Sequence, residues 1–355
     1  METKLRKIRD WMKKEEVDGL LITNGYNRRY VSGFTGSSGC CLLMEDAADL
    51  ITDFRYIEQA TRQAPWFEIV QHQADMLEMA VERAKGHGVK RLGFEKNYIT
   101  YALYQRLAEL ADSIELVPVA GAVEASRLIK NADEVQIIKE ATAIADKAFS
   151  HILTYIKPGV TELAVANELE FYMRSLGATS SSFDTIVASG VRSALPHGVA
   201  SDKMIETGDM VTLDFGAYYK GYCSDITRTI AVGEPGEKMR EIYEVVLRAQ
   251  LNGVQHIKAG MTGKEADALT RDIIADAGYG PNYGHSTGHG IGLEVHEGPT
   301  LSVRGEQKLV SGMVVTVEPG IYLEGIGGVR IEDDVLITEE GCETLTSSPK
   351  ELLVI

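Results

Sequence analysis

At 355 residues the chain is long for one hydrophobic core and comfortable for two domains. Apolar residues make up 44% and charged residues 25%, an ordinary balance for a soluble globular protein. A formal charge of −16 removes any electrostatic reason to approach nucleic acid or an anionic membrane; beyond solubility, it leaves carboxylates for a cation to neutralise.

The chain opens with METKLRKIRDWMKKEEVDG, where Leu5, Ile8 and Met12 share one face of a predicted amphipathic helix and no stretch reads as a secretory leader. No apolar run is long enough to span a bilayer. The cysteines are Cys40, Cys41, Cys223 and Cys342, with two adjacent and no C-x-x-C. Neighbouring cysteines pair poorly, so reduced thiols in a cytoplasmic protein are expected. From Gly19 to about Val119, GLLIT, GCCLLM, DLITD, FEIV, RLGFE and IELVPV read as strands, and 55–64, 74–85 and 100–111 as helices. That alternation predicts a mixed α/β layer. His72 and His87 fall within it without ligand-like spacing, and its expected role is scaffold or partner contact.

The character changes near residue 125. Residues 131–156 carry one long helical pattern, stopped by Lys157-Pro158-Gly159, and Thr161 is the predicted cap of a helix beginning at Glu162. Further helices are predicted at about 237–258 and 263–277, among Gly-rich strand segments. No repeat of 20–50 residues and no low-complexity tract is present.

The chemistry-bearing residues all lie in this second part. In MVTLDFGAYYKGYCSDITRTIAVG, Val211, Leu213 and Phe215 alternate with a polar face carrying Asp214. The return strand sets Asp225, Thr227 and Thr229 against Ile226 and Ile230. A turn at Tyr219-Lys220 or Lys220-Gly221 would put Asp214 and Asp225 on one face, opposite or diagonal. Like charges so placed repel unless something positive lies between them; two solvated acids on a surface hairpin is the plainer alternative. In MVVTVEPGIYL, Glu318 shares the polar side of its strand with Thr316 before Pro319-Gly320 breaks it. In GGVRIEDDVLIT, Arg330 and Glu332 point the same way, and Asp333 and Asp334 read as a solvated strand end.

GHSTGHGIGLEVHE, residues 284–297, holds His285, His289 and His296. The i, i+4 spacing of the first two suggests a zinc helix, but four glycines at about 1 kcal/mol each make that helix untenable and predict a loop open to close backbone approach. One imidazole and four carboxylates suit two divalent cations of borderline to hard character, Mn²⁺ or Co²⁺ before Ca²⁺. Such a pair can hold a bridging water as hydroxide and polarise a carbonyl.

These residues resemble the creatinase/methionine-aminopeptidase ("pita-bread") metallopeptidases, and within them the Xaa-Pro branch of prolidase and aminopeptidase P. The contexts LDFGAYYKGYCSDITRT, STGHGIGLEVHE, TVEPGIY and GVRIED carry the likeness, which extends over the whole length. It implies an α+β chain: a smaller creatinase-like α/β domain over 1–124, then a pita-bread catalytic domain over 125–355. It implies five ligands, Asp214, Asp225, His289, Glu318 and Glu332, with Asp225 and Glu332 bridging two metals. Asp214 then completes one site and His289 with Glu318 the other. Mn²⁺ or Co²⁺ is expected, with Zn²⁺ or Fe²⁺ as alternatives. Glu318 also matches the proton acceptor as the bridging hydroxide attacks the Xaa-Pro carbonyl. His197, in ALPHG, matches the histidine at the substrate or leaving nitrogen, and His296 the one that stabilises the gem-diolate. His285 and Arg330 match outer or substrate-contacting positions. The substrate implied is a proline-containing dipeptide or short peptide, and the assembly implied is a homodimer.

One position departs from the pattern. Several prolidases of this length carry arginine four residues after the histidine matching His296, where it can clamp the dipeptide carboxylate; here HEGPT puts Thr300 there. The expected activity is Xaa-Pro dipeptidase, with aminopeptidase P action on longer peptides as the alternative. A metal-free creatinase-type hydrolase or a non-catalytic module of the same fold would be expected to lack ligands, and none is missing.

Overall fold

Leu5, Ile8 and Met12 recur at helical spacing, and all three are buried along α1 (Glu2–Lys14) of the computed structural model, which describes residues 2–355. The chain divides into two compact units between Arg127 and Leu128.

In the first unit, β1 (Gly19–Ile22), β2 (Cys40–Met44), β3 (Ala48–Thr52), β4 (Glu68–Gln71), β5 (Arg91–Glu95) and β6 (Glu115–Val119) form one sheet in the order β4-β3-β2-β1-β5-β6. β1 runs antiparallel to β2 and parallel to β5. The six predicted strands are all present, because each is an apolar run bounded by turn-forming residues. Beside them lie α3 (Ile57–Gln63), α4 (Met76–Gly86) and α5 (Tyr101–Leu110). Two short helices are additions, α2 (Gly25–Ser32) and α6 (Glu124–Arg127). GYNRRYVS lacks an apolar stripe; α2 forms because Asn24 caps it and Gly33, at φ 79°, ends it.

The second unit opens with α7 (Ala132–Ile152), held by a capping box between Asn131 and Glu134. It ends earlier than the predicted 156, because i→i+3 bonds from Thr154 and Tyr155 tighten the chain before Pro158. Thr161 caps α8 (Glu162–Ser175) as expected. β7 (Ser180–Ser181) and β8 (Ile186–Ser189) follow, then β9 (Met210–Phe215), β10 (Ala217–Tyr219), β11 (Tyr222–Cys223) and β12 (Ile226–Ala231). After α9 (Glu237–His256) and α10 (Gly263–Asp276) come β13 (Gly288–Gly290), β14 (Glu297–Leu301), β15 (Val314–Val317), β16 (Gly320–Leu323), β17 (Gly327–Arg330), β18 (Asp333–Ile337) and β19 (Cys342–Thr344). β12-β9-β8 make one sheet and β14-β13-β15-β18-β19 another, with β16-β17 as a hairpin and β11-β10-β7 as a small third sheet. α7 and α8 pack an apolar cluster, including Phe149, Leu169 and Met173, against Leu213, Phe215 and Ile226. On the other side, Ile242, Val246 and Ile274 of α9 and α10 pack against Ile321, Val329 and Ile331. The four cysteines are free, and no helix among the described residues is long and apolar enough to cross a membrane.

Candidate active site

The register of β9 and β12 sets the first two acids. Thr227 lies opposite Asp214 and Ile226 opposite Phe215, so Asp225, one residue before β12, is diagonal to Asp214 on the same face. The connection is itself a second small hairpin, β10–β11, in a different sheet. β9 stops at Gly216, where a Cβ would sit 1.8 Å from the Ser224 carbonyl oxygen, and the turn is Lys220-Gly221, both at positive φ. Glu318 follows β15, just before Pro319 ends the strand direction, and Glu332 lies between β17 and β18.

His289 is the centre of β13, so the expected loop is corrected there to a short strand, paired on both sides with β14 and β15. The glycines that forbid a helix permit this pairing. A Cβ on Gly288 would lie 1.9 Å from the Thr316 carbonyl oxygen, and one on Gly290 would lie 1.9 Å from that of Gly298.

Asp214, Asp225, His289, Glu318 and Glu332 all line one cavity of about 800 Å³, together with His197, His285, His296 and Arg330. Ligand-type atoms of Asp225, His289 and Glu332 lie within 4.8 Å of one another. His289 Nε2 is 3.5 Å from Glu318 and 3.8 Å from Asp225. Its Nδ1, 3.1 Å from the Gly290 carbonyl, takes the proton, which leaves the Nε2 lone pair facing the acids. Thr227 donates its hydroxyl to Glu332 at 2.5 Å, and Thr316 donates to Glu318 at 3.2 Å. Asp214 Oδ2 accepts from Arg330 at 2.5 Å. Oδ1 of Asp214 and Oδ1 of Asp225 are buried with no hydrogen-bond partner among the described residues.

Burial is the leading cause of the electrostatics here. It pushes Asp225 and Glu332 well above the ordinary carboxylate range, and neighbouring acids push further: Glu332 and Asp214 on the former, Glu318 and Asp214 on the latter. Glu318 is raised to about 8 by burial, with Arg330 opposing. Burial lowers His285 and His289 to about 4, so both imidazoles are neutral. Four crowded acids, two of them with an orphaned oxygen, beside an unprotonated imidazole nitrogen make a donor set that fits divalent cations.

Every predicted site residue reaches this cavity, and Arg330 and His285 are linked there through Tyr322. Arg330 is buried and donates to Asp214, Thr227, Tyr322 and the Pro196 carbonyl. His285 Nε2 lies 2.8 Å from the Tyr322 hydroxyl, which also accepts from Arg330 at 2.8 Å. Tyr322 and Thr227 escape sequence reasoning: the one sits in the TVEPGIY context and the other on the acid face of its strand, but neither residue type signals a site by itself. Asp333 and Asp334 require a correction. They are not a solvated strand end but fully buried. Asp333 accepts from Arg228, Gln250 and Thr346 and pairs with Lys350. Burial pushes Asp333 up, but Arg228 and Lys350 outweigh it and hold the group below its ordinary value.

The Creatinase/Prolidase N-terminal domain family matches residues 4–129, and Metallopeptidase family M24 matches residues 136–339. The chain is 61% identical over 352 residues to the uncharacterized peptidase YqhT of Bacillus subtilis, covering 99% of this chain and 100% of that one. It is 44% identical over 355 residues to an Xaa-Pro dipeptidase of Pyrococcus horikoshii, covering 99% of each. Among solved structures, an Xaa-Pro dipeptidase from Bacillus anthracis is similar at a TM-score of 0.98 and 59% identity, covering 100% and 99% of the two chains. An X-Pro aminopeptidase from Thermotoga maritima is similar at a TM-score of 0.91 and 42% identity, covering 96% and 98%.

Proposed function

The chain belongs to metallopeptidase family M24, and from that premise we propose that it is an Xaa-Pro dipeptidase working with two divalent cations, Mn²⁺ or Co²⁺. Residues 125–355 are the catalytic domain in this reading, 1–124 the accompanying domain, and the protein is a cytoplasmic homodimer. The observation that carries the proposal is the convergence of Asp214, Asp225, His289, Glu318 and Glu332 on one cavity, with buried carboxylate oxygens left unpartnered.

Those five residues would hold the cations, with Asp225 and Glu332 shared between them. When bound, the pair supplies Lewis acidity to the scissile carbonyl and an acidified water as nucleophile. The chain's own groups do the rest. The leaving prolyl nitrogen needs a proton as the C–N bond breaks, and the proton taken from the attacking water supplies it. Glu318, on the cavity wall, accepts the proton of the attacking water. His296 has its ring centroid 4.4 Å from that of His289 and donates to the carbonyl oxygen as negative charge develops there. His197, on the cavity wall beside Pro196, hydrogen-bonds the prolyl nitrogen as it leaves. His285 and Arg330 border the substrate, His285 against the Tyr322 hydroxyl and Arg330 holding Tyr322, Asp214 and Thr227 directly.

A second reading has a specific observation in its favour. Thr300, rather than an arginine, lines the cavity, and the Arg330 guanidinium is already committed to Asp214, Thr227, Tyr322 and Pro196. A peptide extended beyond proline needs no carboxylate clamp, so release of the N-terminal residue from longer Xaa-Pro peptides is the alternative. Hydrolysis of an Xaa-Pro dipeptide and an Xaa-Pro-Yaa tripeptide, each with Mn²⁺ and with Co²⁺, separates the two. The expected result is a higher kcat/KM on the dipeptide; preference for the tripeptide selects the aminopeptidase, and failure on both overturns the proposal.

A further inference from the structure

Two consecutive aspartates sit directly behind the candidate cation cluster, and the chemistry above uses neither. Asp333 receives the guanidinium of Arg228 on Oδ1 at 2.8 Å. Arg228 is itself 1% exposed and spends its remaining donors on main-chain carbonyls: Thr227 at 2.9 Å, Glu332, Ser348 at 2.8 Å and Pro349 at 3.0 Å. Asp334 accepts the backbone N–H of Asp225 on Oδ2 at 2.9 Å. The Glu332 N–H completes the lattice by donating to the Thr227 carbonyl at 3.1 Å.

The two carboxylates proposed to be shared by both cations are therefore tied through their main chains. Asp225 is held by Asp334, and Glu332 by Arg228, which Asp333 orients. An arginine taken wholly out of water is expensive unless its donors are satisfied, and a planar fork with five donors can satisfy several carbonyls at fixed angles where an ammonium cannot. Partners that orient metal ligands without touching the metal typically contribute about 10–100-fold in affinity. From this lattice we infer that Arg228, Asp333 and Asp334 are positioning residues that set the spacing of Asp225 and Glu332 and so tune the affinity of the site for divalent cations. The inference rests on the cation-binding reading above.

The test is calorimetric titration of chelator-stripped full-length protein with Mn²⁺, well below the Tm of each variant. Arg228→Lys and Asp334→Leu are expected to weaken Mn²⁺ binding by about 10–100-fold while remaining folded. Asp334→Asn keeps an acceptor for the Asp225 N–H and is expected to bind within a few-fold of the parent protein. A role confined to packing would lower Tm and leave the affinity of the folded protein unchanged, and that result in both weakened variants overturns the inference. If Arg228→Lys does not fold, the contrast between Asp334→Leu and Asp334→Asn decides. If the unsubstituted protein takes up no Mn²⁺, the cation reading itself falls and the inference with it.

Discussion

Asp225 and Glu332 are buried at 5% and 2% exposure, among acids that raise each other's affinity for protons. With Asp225 and Glu332 proposed as shared ligands, removing one charge should cost both cations rather than one. Asp225→Asn and Glu332→Gln are each expected to abolish metal uptake and turnover together, measured by elemental analysis after Mn²⁺ loading and desalting. Loss of turnover with two metals retained would contradict the shared-ligand assignment. His296 differs, because its ring packs edge-on against His289 without entering the acid cluster. His296→Ala should keep its metal and lose about 2.7–4 kcal/mol of transition-state stabilisation, the scale of a missing oxyanion donor. A near-normal kcat at confirmed metal occupancy would refute that role.

At the scale of elements, β13 depends on glycines that let its neighbours close in from both sides. Gly290→Ala would drive a methyl group to 1.9 Å from the Gly298 carbonyl oxygen, an atom that cannot turn away. The expected cost is about 1–3 kcal/mol or more, with His289 displaced from the acids. A fall in Tm accompanied by weaker Mn²⁺ binding checks this; a fall in Tm alone would mean that the strand can shift without moving the imidazole. The β9–β12 pair works differently, since its register puts Asp225 diagonal to Asp214 whatever fills the cavity.

For the whole molecule, the cation cluster is also a stability element whose sign depends on pH. Without cations, Glu318 has a folded pKa of about 8 against an ordinary 4.5, and Asp225 and Glu332 are raised in the same direction. At these three acids the folded protein then binds more protons than the unfolded chain across that interval, offset in part below about 6.5 by His285 and His289, which burial lowers to about 4. The associated stability is complete below about pH 4.5 and is lost as pH rises through about 8. Chelator-stripped protein should therefore lose Tm progressively from about pH 5 to 8.5, and Mn²⁺ should restore most at the alkaline end. Thermal melts across that range, with and without Mn²⁺, test it; a stripped protein whose Tm rises over the interval would contradict the sign.

The amino-acid sequence by itself determined most of the strand and helix menu, the two-part composition and the acids on strand faces, while the full set of five candidate ligands came from the family resemblance its motifs carry. These are local or short-range signals: apolar periodicity, caps such as Asn131 and Thr161, and acids on the polar side of strands that turn residues interrupt. Tertiary structure decided what surrounds those ligands. Asp333 and Asp334 look like a wet strand end, since nothing within ten residues of them shows that Arg228, Gln250 and Lys350 converge there from elsewhere in the chain. Arg330 reads as an outer or substrate-contacting arginine, and only the fold shows Asp214, Thr227 and Tyr322 occupying its guanidinium. The division has a physical cause. Backbone geometry and side-chain alternation are written in neighbouring residues, whereas burial, and with it the protonation and partnering of every charged group, depends on which distant segments pack against it.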